Sequence, residues 1–584
     1  MAIENMITDH LDLWTAAVRP KSSAGRGSNS KLELTGIKKL RELILELAVR
    51  GKLVPQDPSD EPASVLLERI AIEKARLVKE GKIKKPKALP AISEEEKPFE
   101  LPEGWTWQRL GSIGYTQTGG TPSKSNPNFF GNDIPFIKPG DISDTSIVYD
   151  NEGLSTLGAE QLGRLAPSGS ILMVCIGTIG KCNKIDKVCA FNQQINSITP
   201  YIEIYEFLHR CLSSRYFQAL AWENSSSTTI AILNKGKWEA LPVPLPPIFE
   251  QHRIVAKVDE LMALCDQLEQ RSESQLAAHQ TLVETLLATL TDSCDVDELA
   301  QNWARLSTHF DILFTTEASI DALKQTILQL AVMGKLVPQD PSDEPASSLL
   351  ERIAAEKAQL VKEKKIKKEK PLSVIREDEK PFELPQGWEW ERFGKIFLDL
   401  KYGTSQRSDY LIDGNPVLRI PNVAGGAISL DDLKFSKLSL TELNDLALTE
   451  GDLLFIRSNG SLGIVGRCVV VDICLDGFAF AGYLVRSRMP KRDFCSHFIS
   501  LAMDTSYVRN QIEQPIRSTS GVKNINSTEI SNLIIPVPPL LEQHRIVAKV
   551  NELMVICDQL KSRLQTSQQT QLALAESLVE GALA

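Results

Sequence analysis

Two stretches of the chain repeat their apolar residues with the spacing of a helical seam. In the first, Ile254, Val258, Leu261, Cys265 and Leu268 follow at intervals of 4, 3, 4 and 3 residues. In the second, Ile546, Val550, Leu553, Cys557, Leu560 and Leu564 keep the same rhythm. Alternating steps of three and four put these side chains on one stripe of an α-helix, as in a coiled coil. Each helix is expected to run for about 35 to 40 residues, roughly 55 to 60 Å at 1.5 Å per residue. The simplest partner for one seam is the other, and a pseudo-twofold arrangement favours an antiparallel pair. Shorter apolar stripes predict helices at Leu40–Val49 and Val65–Glu80, the second capped by Ser64 or Asp60. VPQDPSDEP between them predicts a proline-punctuated loop. Short β-like runs at Ile134–Ile137, Ser170–Cys175, Leu453–Ile456 and Arg467–Val471 sit among glycine turns. Helical stretches at Ile204–Trp222 and Phe494–Ile512 follow them.

Self-similarity organises these elements. GKLVPQDPSDEPAS occupies Gly51–Ser64 and recurs letter for letter at Gly334–Ser347, an offset of 283 residues. The match continues through LLERIA to KIKK, and KPFELPEGWTW (Lys97–Trp107) answers KPFELPQGWEW (Lys380–Trp390) at the same offset. EQHRIVAKV occupies Glu250–Val258 and Glu542–Val550, an offset of 292. Between the repeated blocks, Gly111–Pro242 and Lys395–Pro536 share only echoes, such as IPFIKPGDI with NPVLRIPNV and PSGSILM with TEGDLLF. One fold is therefore used twice with different surfaces. Surfaces kept identical suit one kind of partner met twice, and surfaces that differ suit two ligands.

The predicted organisation has six parts. Residues 1–97 hold an N-terminal segment and the first helical repeat, 98–247 the first mixed domain, and 248–290 the first long helix. Residues 291–380 hold a linker and the second helical repeat, 381–539 the second mixed domain, and 540–584 the second long helix. The first 30 residues and residues 291–320 carry no recognised motif. The fold class is α+β, with two mixed α/β domains joined by the long helices.

Composition changes this picture little. Of 584 residues, 42% are hydrophobic and 24% charged, as in soluble globular proteins. No apolar run approaches the roughly 18 residues of a membrane span, and MAIENMITDHLDLW lacks the basic start of a signal peptide, so a cytoplasmic location is expected. The ten cysteines form no CxxC pairs and no disulfide framework. A net charge of −10 argues against a general nucleic-acid coat and leaves room for a specific reader with local basic groups. The basic run Lys79–Lys87 reads as a solvated linker.

No catalytic constellation emerges. CIGTIGKC (Cys175–Cys182) fails as a phosphate loop because Gly177 and Gly180 stand too close. HExxH, GxSxG and GxGxxG patterns are missing. NPNFF (Asn126–Phe130) only imitates the motif of amino-methyltransferases. His252 and His544 occur at matching helix starts, which points to helix initiation or docking rather than acid–base work.

The order domain, helix, domain, helix, with TGGTPSKSNPNFFGNDIPFIKPGDI (Thr118–Ile142) and the junctions PLPPIFEQHRIVAKVDELM and PVPPLLEQHRIVAKVNELM, resembles the specificity subunit of type I restriction–modification enzymes. The resemblance covers the chain from about Leu40 onwards. It implies two target-recognition domains that bind a bipartite, asymmetric double-stranded DNA site. It also implies two docked methylation subunits, which modify adenine, and restriction subunits that cleave. S-adenosylmethionine, ATP and Mg would serve those partners; no cofactor, metal or catalytic residue is expected in this chain. Candidate DNA-contacting residues are Thr121, Ser123, Lys124, Lys138, Lys181, Gln193, Gln194, Lys235 and Lys237 in the first domain. In the second they are Thr404, Gln406, Arg407, Arg419, Arg457, Asn459 and Lys523. Lys or Arg pairs with guanine, Asn or Gln with adenine, and the rest serve phosphates. Trp105, Trp107, Trp388 and Trp390 are assigned to core packing. Two other readings remain: an adaptor that joins two identical partners without touching nucleic acid, and a self-contained methyltransferase or nuclease with an unfamiliar site.

Overall fold

The computed structural model describes residues 7–20, 32–226, 230–294, 296–368, 371–517 and 523–583. The chain forms two compact units. Unit 1 comprises Met1–Gln275 and Ser567–Ala584; unit 2 comprises Leu276–Thr566. No described helix is long and apolar enough to cross a membrane.

Each unit contains the repeated frame. In unit 1 its helices are Thr35–Val49 and Ala63–Lys79; in unit 2 they are Glu317–Val332 and Ala346–Lys362. Both begin earlier than the apolar stripes predict. Neither Ser64 nor Asp60 caps Ala63–Lys79, because Pro62 occupies the cap position. The backbone carbonyl of Gly104 accepts from Ala63 N at 2.9 Å, and Gly387 does the same for Ala346 at 2.8 Å. Asp60 is used elsewhere, accepting from Arg253 at 2.6 and 3.2 Å. Residues 291–320 also depart from expectation, because they hold helices Val296–Thr308 and Phe310–Leu313. Leu299, Trp303, Leu306, Phe310 and Leu313 form a further 4, 3, 4, 3 stripe that packs against the core of unit 2.

The letter-for-letter repeat has a structural cause. Glu250, buried at the start of the first long helix, accepts from Trp105 Nε1 at 2.8 Å and from Gln56 Nε2 at 2.7 Å. Glu542 accepts from Trp388 Nε1 at 2.9 Å and from Gln339 Nε2 at 3.0 Å. Gln56 and Gln339 also donate to the carbonyls of Gly51 and Gly334. A Cβ on Gly51 would lie 2.4 Å from Pro102 Cγ, and one on Gly334 2.5 Å from Pro385 Cγ. The loop, the GWxW strand and the long helix thus meet at one buried carboxylate. Burial pushes the pKa of Glu250 and Glu542 up, and the indole and amide donors oppose that shift.

The long helices, Ile248–Asp292 and Leu540–Leu583, exceed the expected length. Their seams meet more than one partner. In unit 2, Ile546, Val550 and Cys557 share a core with Ile320, Leu323 and Ile327 of the frame and with Val283, Leu287 and Leu290. Lys324 pairs with Asp558 at 2.5 Å, and Lys561 with Asp321 at 3.1 Å. Lys335 Nζ donates to the carbonyls of Thr291 and Ser293 at 2.6 and 3.0 Å. Unit 1 repeats the pattern. Arg41 reaches Asp266 and Glu269, both at 2.6 Å, Lys39 pairs with Glu576 at 3.5 Å, and Lys52 donates to the carbonyl of Leu583 at 2.9 Å. The first frame helix of each unit therefore lies beside one long helix and the tail of the other, which pairing of two seams alone does not predict.

The mixed domains leave the frame through two-stranded ladders. Thr106–Arg109 pairs antiparallel with Pro242–Leu245, and Glu389–Arg392 with Ile534–Val537. Arg109 fixes the first ladder by donating to Glu96 and to the carbonyls of Pro90, Ala91 and Ala240. That guanidinium holds the Glu96 carboxyl down at about 2. Beyond the ladder each domain has a four-stranded antiparallel central sheet. Its strand order is Gly114–Thr118, Ile195–Pro200, Ile171–Val174, Cys182–Lys184 in unit 1. In unit 2 the order is Asp399–Tyr402, Leu484–Arg488, Leu453–Ile456, Cys468–Val470. A second sheet in each contains one parallel pair, Phe130–Ile137 with Cys189–Phe191 and Asn415–Leu418 with Ala479–Phe480. The predicted strand Ile134–Ile137 falls inside Phe130–Ile137 and Leu453–Ile456 coincides with its strand, whereas Ser170–Cys175 and Arg467–Val471 overrun Ile171–Val174 and Cys468–Val470 by one residue at each end. The predicted helices each divide in two, as Tyr205–Ser213 with Arg215–Glu223 and Ser496–Met503 with Ser506–Arg517. Ser214 causes the first break by capping the second helix, its hydroxyl accepting from Phe217 N at 3.3 Å.

Glu250→Leu leaves the buried Trp105 indole N–H without an acceptor and removes one of the two acceptors of Gln56, and is expected to destabilise unit 1 by about 1 to 3 kcal/mol. Glu250→Gln keeps an acceptor and should stay within about 1 kcal/mol of the parent. Because burial raises this pKa, the folded chain holds the proton more readily than the unfolded chain. The contribution is therefore full at low pH and is lost as pH rises through the raised value. Urea unfolding of the parent and both variants across that range checks the order and the sign.

Candidate nucleic-acid interface

Three segments converge at one end of the central sheet in each unit. The first follows the opening strand: Gly120 N donates to Phe191 O at 3.0 Å, and Thr404 N to Phe480 O at 2.8 Å. The second precedes the next strand and is tied to the hairpin tip: Cys175 N donates to Gln194 O at 2.8 Å, and Arg457 N to Tyr483 O at 2.9 Å. The third is the tip itself, bonded to a returning segment. Leu233 N donates to Cys175 O at 2.8 Å, and Ile525 N to Arg457 O at 2.9 Å. These bonds align the units residue by residue where the letters do not: Gly120 with Thr404, Gln194 with Tyr483, Cys175 with Arg457. Glycine is required where the first segment starts. A Cβ on Gly119 would lie 2.1 Å from Asn192 O, and one on Gly403 2.2 Å from Phe480 O.

In unit 1 this end gathers Thr121, Gln193 and Gln194. The Thr121 hydroxyl donates to Gln193 Oε1, and Gln194 Oε1 accepts from Asn192 Nδ2 at 3.1 Å. Ser123 shares a hydrogen bond with Ser125 at 2.7 Å, and Lys124 beside it is exposed with no ion pair among the described residues. Lys181, on the tip, donates to Pro139 O at 3.5 Å, which brings the tip to Lys138. Lys138 is held by Glu152. Lys237 donates to Asn224 O at 3.1 Å. Lys235 turns inward, 2.9 Å from Glu239 and 3.4 Å from the Thr116 hydroxyl, so its charge is spent on the fold.

In unit 2, Thr404, Gln406 and Arg419 line one cleft of about 320 Å³ with Lys434 and Tyr483. Thr404 is buried and donates to Glu442 at 2.9 Å while accepting from Gln406 N at 3.1 Å. Arg419 donates to Asp432 at 2.9 Å. The Tyr410 hydroxyl, then Arg419, hold the Asp432 carboxyl below its ordinary range. Arg457 lies 4.8 Å over the Tyr402 ring, and its buried Nε has no hydrogen-bond partner among the described residues. Asn459 and Lys523 face each other in a short antiparallel ribbon beside it. Arg407 is 86% exposed and pairs with Asp409 at 3.1 Å. Tyr402, Tyr410, Lys434, Tyr483 and Asn524 escape sequence reasoning, because only the fold brings them beside the predicted residues.

The tryptophans belong to the frame. Trp105 and Trp388 serve the buried carboxylates, and Trp107 and Trp390 stack with Phe99–Tyr216 and Phe382–Tyr507. His252 and His544 are exposed at the starts of the long helices, each beside a buried glutamine. Among the described residues no group of three or more His, Cys, Asp or Glu is placed to hold a metal. A larger cavity in unit 1, about 1510 Å³, lies between helix Ala63–Lys79 and residues 85–112, away from the converging loops.

Residues 102–278 match the family model described as the type I restriction modification DNA specificity domain. The chain is 44% identical to the EcoAI specificity subunit of a type I restriction enzyme from Escherichia coli, with both chains covered in full. The chain belongs to the specificity subunits of type I restriction enzymes. The EcoEI specificity subunit, also from Escherichia coli, is 43% identical over the full length of both chains. A chain from a solved type I R-M system is 17% identical, with a TM-score of 0.47 over 83% of this chain and 99% of that one. A specificity subunit recognises DNA sequence and is the non-catalytic member of a methyltransferase–endonuclease complex.

Gly403→Ala places a methyl group against two backbone carbonyls. It is expected to cost about 1 to 3 kcal/mol and to weaken DNA binding by moving the Thr404–Gln406 segment. Gly425→Ala, with open space around its Cβ, should change neither. Urea unfolding and gel-shift titration of both variants make the comparison.

Proposed function

We propose that residues 98–247 and 381–539 are two target-recognition domains, each reading one half of a bipartite, asymmetric double-stranded DNA site. One observation carries the reading. The same three-segment scaffold recurs in both units and bears different side chains, whereas the frame beneath it is repeated almost letter for letter. Direct readout needs donors and acceptors that differ from site to site on a rigid support. Thr121, Gln193, Gln194 and Lys181 supply them in unit 1; Gln406, Arg457, Asn459 and Lys523 do so in unit 2. Lys124 and Arg407, exposed at the edges, suit phosphates.

The repeated frame docks two methylation subunits in this reading, because its surface is the one presented twice. Restriction subunits complete the assembly. The long helices act as an antiparallel, pseudo-twofold spacer, and their length fixes the gap between half-sites in turns of about 34 Å. Adenine methylation requires the base to leave the stack, so the partner must be held in register with the recognised bases. S-adenosylmethionine, ATP and Mg act on those partners, in the cytoplasm. The acidic net charge of −10 fits a subunit whose partners supply much of the phosphate contact.

Lys124→Ala and Arg407→Ala are each expected to weaken DNA binding by the assembled methyltransferase and to reduce the slope of log affinity against log salt by about 1. Gel-shift titration at several salt concentrations measures both, and unchanged affinity removes the residue from the interface. Exchanging residues 98–247 for the domain of a relative should change one half-site in the methylome and leave the other intact. A complex that methylates no defined sequence would instead support an adaptor that never reads DNA.

A further inference from the structure

The hairpin tip is built the same way in both units and carries opposite chemistry. In unit 1, Ile176 and Ile232 face each other in an antiparallel bridge, between the bonds Leu233 N to Cys175 O and Gly177 N to Ala231 O at 2.8 and 2.9 Å. In unit 2 the residues at the same two places are Ser458 and Asn524, flanked by Asn459 and Lys523 and preceded by Arg457. Residues that face each other in an antiparallel pair project from the same side of it. Unit 2 thus presents a hydroxyl and an amide where unit 1 presents two branched hydrocarbon side chains. Those hydrocarbons meet water: Ile232 is 41% exposed, Ile176 is half-buried, and the neighbouring Ile230 is 58% exposed. Neither Ile176 nor Ile232 is among the buried core residues described for unit 1.

We infer that this tip reads bases, and that in unit 1 it reads thymine through the C5-methyl group, with Ile176 and Ile232 forming the contact. The inference rests on the DNA-reading role proposed above. The thymine methyl is the one apolar feature on the major-groove edge of a base pair, so apolar side chains there select A·T pairs. The flanks fit such a role: Gln194 is bonded to the tip through its carbonyl, and Thr121 and Gln193 stand beside it. In unit 2 the same place offers Asn524 and Ser458 to polar base edges, so the two half-sites differ at the position each tip meets.

The chain is co-expressed with its methylation subunit, and methylome sequencing gives the site. A synthetic duplex carrying that site is then remade with deoxyuridine in place of each thymine in turn, which deletes one methyl group and keeps the base pair. Gel-shift titration with the purified complex should show a loss of roughly three- to fivefold, the worth of one buried methyl, at one or two thymines. The Ile176→Ala/Ile232→Ala complex should bind thymine and deoxyuridine duplexes alike at those positions. The Ser458→Ala complex should keep the discrimination of the parent. Gel filtration of each variant with the methylation subunit shows that assembly is intact. Equal binding of all deoxyuridine duplexes by the parent, or discrimination that survives in the double variant, overturns the inference and leaves the DNA-reading role standing. A complex that methylates no defined sequence sinks that role first, so the two failures are told apart.

Discussion

A carboxylate buried where three segments meet holds each half of this protein together. Glu250 and Glu542 accept hydrogen bonds from an indole and an amide that lie far away in the chain. Such a group is costly to bury and is tolerated only when its donors are in place. The donors are supplied by the loop GKLVPQDPSDEP and the strand GWxW, and the carboxylate by the first turn of the long helix. The arginine three residues further on, Arg253 or Arg545, adds an ion pair to Asp60 or Asp343 on the same loop. A change in any of these residues strands the others, which accounts for their identity in both copies.

Above that junction the constraint is weaker and of a different kind. The central sheet and its three converging segments are fixed by backbone hydrogen bonds, which any residue except proline can donate. Cys175 and Arg457 occupy the same place through the same bonds, and so do Gln194 and Tyr483. Side chains there are free to vary without loss of the fold. That freedom suits a subunit that recognises DNA sequence, since the side chains above the frame can change while the frame does not.

Much of this was legible in the sequence. The 4, 3, 4, 3 stripes and the two repeated blocks mark the long helices and the frame, because helical periodicity and identity both survive in letters. The central strands, such as Leu453–Ile456, were read in place. What failed depends on distance. Asp60 looked like a cap because caps are local, yet its partner Arg253 lies almost two hundred residues away. The stripe from Leu299 to Leu313 was overlooked for lack of a recognisable motif, although its spacing is regular. Among the site residues, Thr121 and Gln193 do meet, as do Thr404, Gln406 and Arg419, whereas Lys235 is consumed by Glu239. Ile176 was passed over inside a failed phosphate loop, because only the ladder shows that it stands opposite Ile232.

The tails of the long helices have a consequence for how the gene tolerates damage. Ser567–Ala584 belongs to the same compact unit as the beginning of the chain, where Lys39 meets Glu576 and Lys52 meets Leu583. A stop codon close to position 567 would therefore harm the half translated first and spare most of the other. During synthesis the earlier half must wait, incomplete, until residues 567–584 have left the ribosome.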